Sequence, residues 1–216
     1  MAFAVPHDTV LISDGGLATE LEARGHDLSD ALWSARLLVD APQEIVAAHV
    51  AFFRAGAALA TTASYQASFD GFAASGIGRA KAARLLRRSV ELARTACAEV
   101  GGARWVAASI GPYGAALADA FAVAAGVPEL VAVGVNCCAP ADVENAVRVA
   151  REVTGKPVIV YPNSGEEWDG ERRTWIGKSG WSAELAPRWA AAGARIIGGC
   201  CRVRPDDIAA LAAAVG

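Results

Sequence analysis

The chain has 216 residues, 54% of them apolar and 20% charged, with a formal net charge of −3. That is material for one domain with a sizeable core. It excludes a disordered chain, and a slightly acidic balance argues against a nucleic-acid partner.

The first strand-like run is Thr9 to Ser13, ending at Asp14-Gly15-Gly16. Pro42 to Ala55 reads as a helix, with Pro42 in the first turn and Gly56 as a stop. Ile45, His49, Phe52 and Phe53 give it one mainly apolar face. A second strand is expected over Ala58 to Tyr65. A long helix follows over Gly78 to Val100, with Leu85, Leu86, Leu92, Ala93 and Ala96 inward and Arg84, Arg87, Arg88 and Glu91 outward.

Trp105 to Ile110 is the third strand. The stretch from Trp105 to Ala141 is the most apolar, and the mean hydropathy is +0.30. Gly111, Pro112, Gly114, Gly126 and Pro128 break that stretch, whereas a membrane span needs about 20 unbroken apolar residues. No membrane association is expected. The first residues lack the basic start and apolar run of a secretory signal, so a cytoplasmic protein is expected.

Val131 to Asn136 is the next strand, Asp142 to Val153 a helix, and Pro157 to Tyr161 a strand. Ser182 is a candidate N-cap for a helix reaching Ala192, weakened by Pro187. Arg195 to Gly199 is the last strand and Pro205 to Val215 the last helix. The alternation amounts to six βα units in a single domain over residues 1–216, with parallel strands and helices outside. Ligands of such folds gather at the carboxyl ends of the strands. Asp14, Tyr65, Cys137, Asn163, Cys200 and Cys201 fall there.

Five cysteines are present, four of them in adjacent pairs, Cys137-Cys138 and Cys200-Cys201. An odd, clustered set is not a secreted disulfide framework. Each pair follows a buried strand, and strands distant in sequence can bring their ends together. Three thiolates can then hold one zinc ion and leave its fourth position open. A substrate thiol taking that position would lose its proton and become a nucleophile. Spacing alone leaves zinc binding, a redox pair and buried packing all open. Cys97 lies on a helix and reads as a buried small side chain, and Cys138 as the same or a spare thiol.

Several motifs resemble the homocysteine S-methyltransferases. They are Asp14-Gly-Gly-Leu-Ala-Thr-Glu-Leu-Glu22, Thr61-Thr-Ala-Ser-Tyr-Gln-Ala-Ser-Phe69, Ser109-Ile-Gly-Pro-Tyr-Gly114, Gly134-Val-Asn-Cys137 and Gly198-Gly-Cys-Cys201. Val160-Tyr-Pro-Asn-Ser-Gly-Glu166 with Trp168-Asp169 points to the branch that uses S-methylmethionine or S-adenosylmethionine. The match runs in family order from about Val10 onward.

The resemblance implies a (β/α)₈ barrel that moves a methyl group to zinc-bound homocysteine, giving methionine. It implies Cys137, Cys200 and Cys201 as zinc ligands. Asp14, with the backbone at Gly15, would hold the amino acid end of homocysteine. Tyr65 would line the pocket near the methyl, and Thr61 and Asn163 are further pocket candidates.

The family barrel has eight strands, and six are visible here. The fourth and fifth, with a glutamate that helps grip the amino group, should lie between Gly114 and Val131, and no counterpart is present. The expectation is therefore a TIM-barrel-like fold lacking two internal βα units. Its open edges would be closed by a smaller barrel, by the segment from Ala115 to Ala125, or by a second copy of the chain.

Overall fold

The computed structural model describes residues 5, 9–28, 36–64, 69–107, 118, 121, 131–169, 172, 174–181 and 183–215. Six strands run parallel: β1 (Leu11–Ile12), β2 (Leu59–Thr61), β3 (Trp105–Ala107), β4 (Val133–Asn136), β5 (Val158–Tyr161) and β8 (Ala194–Ile197). Strands β4, β5, β8 and β1 form one sheet in that order, and β2 pairs with β3. A parallel bridge between Ser13 and Leu59 carries β1 across to β2. The Asp14 amide donates to the Leu59 carbonyl at 2.9 Å, and the Ala58 amide to the Ile12 carbonyl at 2.8 Å. The wall thus reads β4-β5-β8-β1-β2-β3. This is barrel-type α/β topology, but among the described residues it does not close, because β3 and β4 have no strand beyond them.

The helices lie where periodicity and caps put them. Helix α3 (Pro42–Arg54) begins at its proline and buries Ile45, Ala48, His49, Phe52 and Phe53. The 22-residue α5 (Arg79–Val100) buries Leu85, Ala93 and Ala96, while Leu86 and Leu92 are only half-buried. Ser89 shares the inner face because its hydroxyl donates to the Leu86 carbonyl at 2.8 Å, which satisfies it locally. Helix α6 (Val143–Thr154) stops at Gly155, whose φ of 64° is left-handed and suits glycine. Helix α8 spans Pro205–Val215.

Four features differ from the sequence expectation. Short helices α1 (Leu17–Ala23), α2 (Leu37–Asp40) and α4 (Phe69–Ala74) carry no strong cap or long period. An antiparallel hairpin, β6 (Glu167–Asp169) with β7 (Thr174–Ile176), follows β5. Ahead of α7 (Ala186–Ala192) stands a 3₁₀ turn, Ala183–Leu185, and Pro187 sits in the helix's first turn, where a missing N–H is tolerated. Strand β2 spans only Leu59–Thr61 of the expected Ala58 to Tyr65, and Tyr65, like Ser182, lies outside the described residues.

The core fills the space between wall and helices. Val158, Val160, Ile197, Phe52, Trp189 and Ile208 are buried together in its largest cluster. No helix among the described residues is long and apolar enough to cross a membrane.

Candidate metal and substrate site

The carboxyl ends of β1, β2, β4, β5 and β8 supply one contiguous group of polar side chains. Cys137 follows β4, and Cys200 and Cys201 follow β8 through Gly198-Gly199. Their sulfurs all lie within 4.8 Å of one another. Cys200 and Cys201 are 3.9 Å apart, and Cys137 and Cys200 are 2.7 Å apart. None of the three is in a disulfide. Sulfurs on a tetrahedral zinc ion sit about 3.8 Å from each other. The adjacent pair already has that separation, Cys137 and Cys200 would open by about 1 Å, and Cys137 and Cys201 lie within 4.8 Å.

The thiols crowd one another. The Cys137 hydrogen bond, the Cys201 contact and burial push Cys200 well above the ordinary thiol range. The hydrogen bond with Cys137 leads in pushing Cys201 up to about 12. Neither ionises alone at neutral pH. A thiophilic divalent cation held by Cys137, Cys200 and Cys201 would supply the compensating charge, and a donor set of three clustered sulfurs suits zinc.

Backbone geometry around the cluster is specialised. Cys137 has φ 53° and Arg202 has φ 68°, the only non-glycine positive values among the described residues. Such strain persists only where surroundings enforce it. Here Asn163 does much of the enforcing. Its side-chain amide donates to the Cys137 carbonyl at 3.2 Å and its Oδ1 accepts the Cys201 amide at 3.2 Å. Its own amide donates to the Cys138 carbonyl at 2.9 Å. The Asn136 amide reaches the Cys137 sulfur at 3.5 Å. The Arg202 guanidinium pairs with both Glu166 oxygens at 3.1 and 3.3 Å, holding that carboxyl below its usual range together with Ser164.

Asp14, whose backbone carbonyl accepts the Gly199 amide at 3.2 Å just ahead of Cys200, has no exposed surface. Oδ2 accepts the Thr61 amide at 2.9 Å, and Oδ1 accepts the Thr61 hydroxyl at 3.0 Å and the Tyr161 hydroxyl at 2.8 Å. Ser13 adds a donor at 3.3 Å. Burial nonetheless wins over these donors and pushes Asp14 up to about 7. An arriving cation would favour its ionised form. The single Tyr161 hydroxyl proton is shared between Asp14 Oδ1 and the Gly15 carbonyl, and burial raises the Tyr161 pKa well above the usual phenol value. Gly15 has to be small, because a Cβ there would stand 2.6 Å from the Val203 carbonyl and against the Phe52 ring.

The structure places Asp14, Cys137, Asn163, Cys200 and Cys201 at one end of the wall, where the sequence put them at strand ends, and sets Gly15 and Thr61, which only the family resemblance named, against Asp14 and Tyr161. Cys97 and Cys138 pack partly buried against the core instead. Burial pushes the Cys138 thiol up to about 11. Tyr161, Asn136 and Arg202 were not expected as site residues. Tyr161 closes β5, only two residues before Asn163, and its place on that rim is the signal that could have found it.

Comparison with known proteins agrees with this geometry. The family profile "Homocysteine S-methyltransferase" matches residues 11–127 and 117–215. The chain is 37% identical to a homocysteine S-methyltransferase of Escherichia coli over 293 aligned residues, covering 94% of each chain. It is 32% identical over 297 to homocysteine S-methyltransferase YbgG of Bacillus subtilis, again covering 94% of each. Those alignments are longer than the 216-residue chain, so the relatives carry extra residues inside the matched span. The two profile matches meet at 117–127, where the missing units were expected.

The crystal structure of the metallated form of the homocysteine methyltransferase MmuM from Escherichia coli superposes with a TM-score of 0.79 at 33% identity, covering 96% of both chains. Its oxidised and apo forms score 0.75 and 0.71. With an ordered series of motifs, a parallel barrel-type wall and a three-sulfur cluster at its carboxyl end, this chain belongs to the homocysteine S-methyltransferase family.

Proposed function

We propose that this protein transfers a methyl group from a sulfonium donor, S-methylmethionine or S-adenosylmethionine, to the thiol of homocysteine, giving methionine. The observation that carries the reading is the meeting of the Cys137, Cys200 and Cys201 sulfurs within 4.8 Å beside buried Asp14, in a chain of this family. Zinc held by the three cysteines would lower the pKa of a substrate thiol enough for it to ionise at neutral pH.

The chain's own residues supply placement. Asp14, backed by Thr61 and Tyr161, offers negative charge to the ammonium of homocysteine, next to the Gly15 backbone. Reaching that carboxylate requires the Tyr161 hydroxyl to give way. Asn163 fixes the two cysteine loops relative to each other, and Tyr65 is proposed to line the methyl pocket. The thiolate sulfur bonds to the methyl carbon as the donor's S–CH₃ bond breaks, and a neutral thioether leaves. No proton need be given to the leaving group, so positioning and thiol ionisation carry the rate. The reading extends to one domain over residues 1–216 and a cytoplasmic setting, where thiols stay reduced. A second copy would cover the open strand edges.

One specific observation favours a second reading. The relatives' alignments exceed the chain in length, and the residues absent here would include a further grip on the amino group. On that reading the chain is a non-catalytic zinc- or thiol-binding descendant, or the partner of a full-length homologue. The deciding experiment gives purified, zinc-replete protein homocysteine with S-methylmethionine and, separately, with S-adenosylmethionine, and measures methionine. Zinc-dependent turnover supports the enzyme. A folded, zinc-loaded protein without turnover with either donor supports the descendant.

A further inference from the structure

His49 stands out among groups the proposed chemistry leaves unused. It comes from α3, is fully buried, and among the described residues neither ring nitrogen has a hydrogen-bond partner. Buried polar groups nearly always have partners, so a bare imidazole in the core calls for a reason. Its Nδ1 lies 3.8 Å from Asp14 Oδ2. That is too long for a hydrogen bond, and a shift of about 0.8 Å would make one.

The two oxygens of Asp14 are unequally served. Oδ1 accepts from Tyr161, Thr61 and Ser13. Oδ2 accepts the Thr61 amide and a longer contact from its hydroxyl at 3.3 Å. The remaining acceptor capacity of Oδ2 has His49 beside it.

We propose that His49 is a positioning residue for Asp14, donating its Nδ1–H to Oδ2 when the carboxylate takes up a cationic group, the ammonium of the amino-acid substrate. This rests on the reading that Asp14 grips homocysteine.

The tautomer follows from the surroundings. Burial pushes His49 down to about 4, so the ring is neutral near pH 7 and has one N–H to place. On Nδ1 the proton points at a carboxylate and leaves Nε2 as a bare acceptor. On Nε2 it would be an orphaned buried donor, and the Nδ1 lone pair would face carboxylate lone pairs. The Nδ1–H tautomer avoids both penalties. With the donor present, Asp14 has a further partner in its ionised form, the form an ammonium needs.

Two measurements test this. Long-range ¹⁵N–¹H NMR of the labelled protein at a pH well above the raised Asp14 range, so that the carboxylate is ionised, with His7 and His26 the only other histidines, should show the Nδ1–H tautomer at His49. Asp14→Asn should perturb that signal. An Nε2–H tautomer overturns the proposal whether or not the protein makes methionine.

The second measurement is steady-state kinetics. His49→Leu fills the same space without a donor and should raise KM for homocysteine about tenfold, with kcat within about twofold, the loss of one hydrogen bond to a charged group. His49→Asn places an amide nitrogen where Nδ1 stands and should restore KM to within about threefold of the parent. Equal KM values for parent and His49→Leu, or a Leu variant better than the Asn variant, overturn the proposal. A parent protein without turnover would sink the reading of the reaction instead, and the tautomer would then decide the His49–Asp14 contact alone.

Discussion

Asn163 holds two loops with one side chain, giving a hydrogen bond to the Cys137 carbonyl and taking one from the Cys201 amide. Groups that orient metal ligands in this way typically matter 10- to 100-fold in metal affinity. Asn163→Ala should therefore weaken zinc binding by about that factor while the protein stays folded, as read by competition with a chromogenic chelator. Cys137→Ala should remove both zinc and methyl transfer. Full activity of that variant without metal would overturn the zinc mechanism.

Asp14 and His49 make a second residue-level prediction, in opposite directions. Burial raises Asp14 from 3.8 to about 7. Between those values the folded state holds a proton that the unfolded chain releases, so stability falls as pH rises. Burial lowers His49 from 6.5 to about 4. Between those values the unfolded chain holds the extra proton, so stability rises with pH. Each effect is worth up to about 3 to 4 kcal/mol. Over pH 4 to 6.5 they largely cancel in the parent. Removing one should expose the other. The stability of His49→Leu should fall as pH rises through that window, and that of Asp14→Asn should rise. Urea midpoints at several pH values check this, and parallel profiles for both variants would contradict it.

At the scale of elements, Gly134 in β4 shows how strand packing sets the metal site. A Cβ there would overlap the Ile159 carbonyl of β5, its direct partner in the register. Gly134→Ala must push β4 away from β5. Cys137, three residues on, would move with it. Overpacking of this kind costs about 1 to 3 kcal/mol, so the variant should melt lower and bind zinc more weakly than an alanine substitution elsewhere on the strand.

Elements also show what the sequence makes legible. Helices α3, α5, α6 and α8 have long apolar periods with Pro or Gly at their ends, and their spans agree with expectation to within about two residues. The hairpin β6–β7 was not legible, because its three-residue strands mix Trp with Glu, Asp and Thr, and polar residues join them. The cysteine cluster was legible because paired thiols follow apolar strands and glycine. Tyr161 was not, since an aromatic closing a buried strand reads as core. His49 was correctly placed on the buried face of α3, but periodicity does not say that its nitrogens lie bare beside Asp14.

The whole molecule poses the question of closure. The wall runs β4-β5-β8-β1-β2-β3, and among the described residues nothing continues the sheet beyond either end strand. Val131, just before β4, is 51% exposed. Unpaired parallel edges with apolar surface invite pairing with another chain. If a second copy covers them, light scattering should give about twice the 22.2 kDa chain mass, as expected for a closed two-fold dimer. Val131→Lys should shift the protein toward monomer without lowering the melting temperature of the isolated chain, because the side chain is already largely in solvent. Turnover should then fall with the dimer fraction if the partner also shields the sulfur cluster from water. A protein that stays monomeric at high concentration and still turns over would instead mean that the chain excludes water from the site by itself, and the second copy would have no part in the reaction.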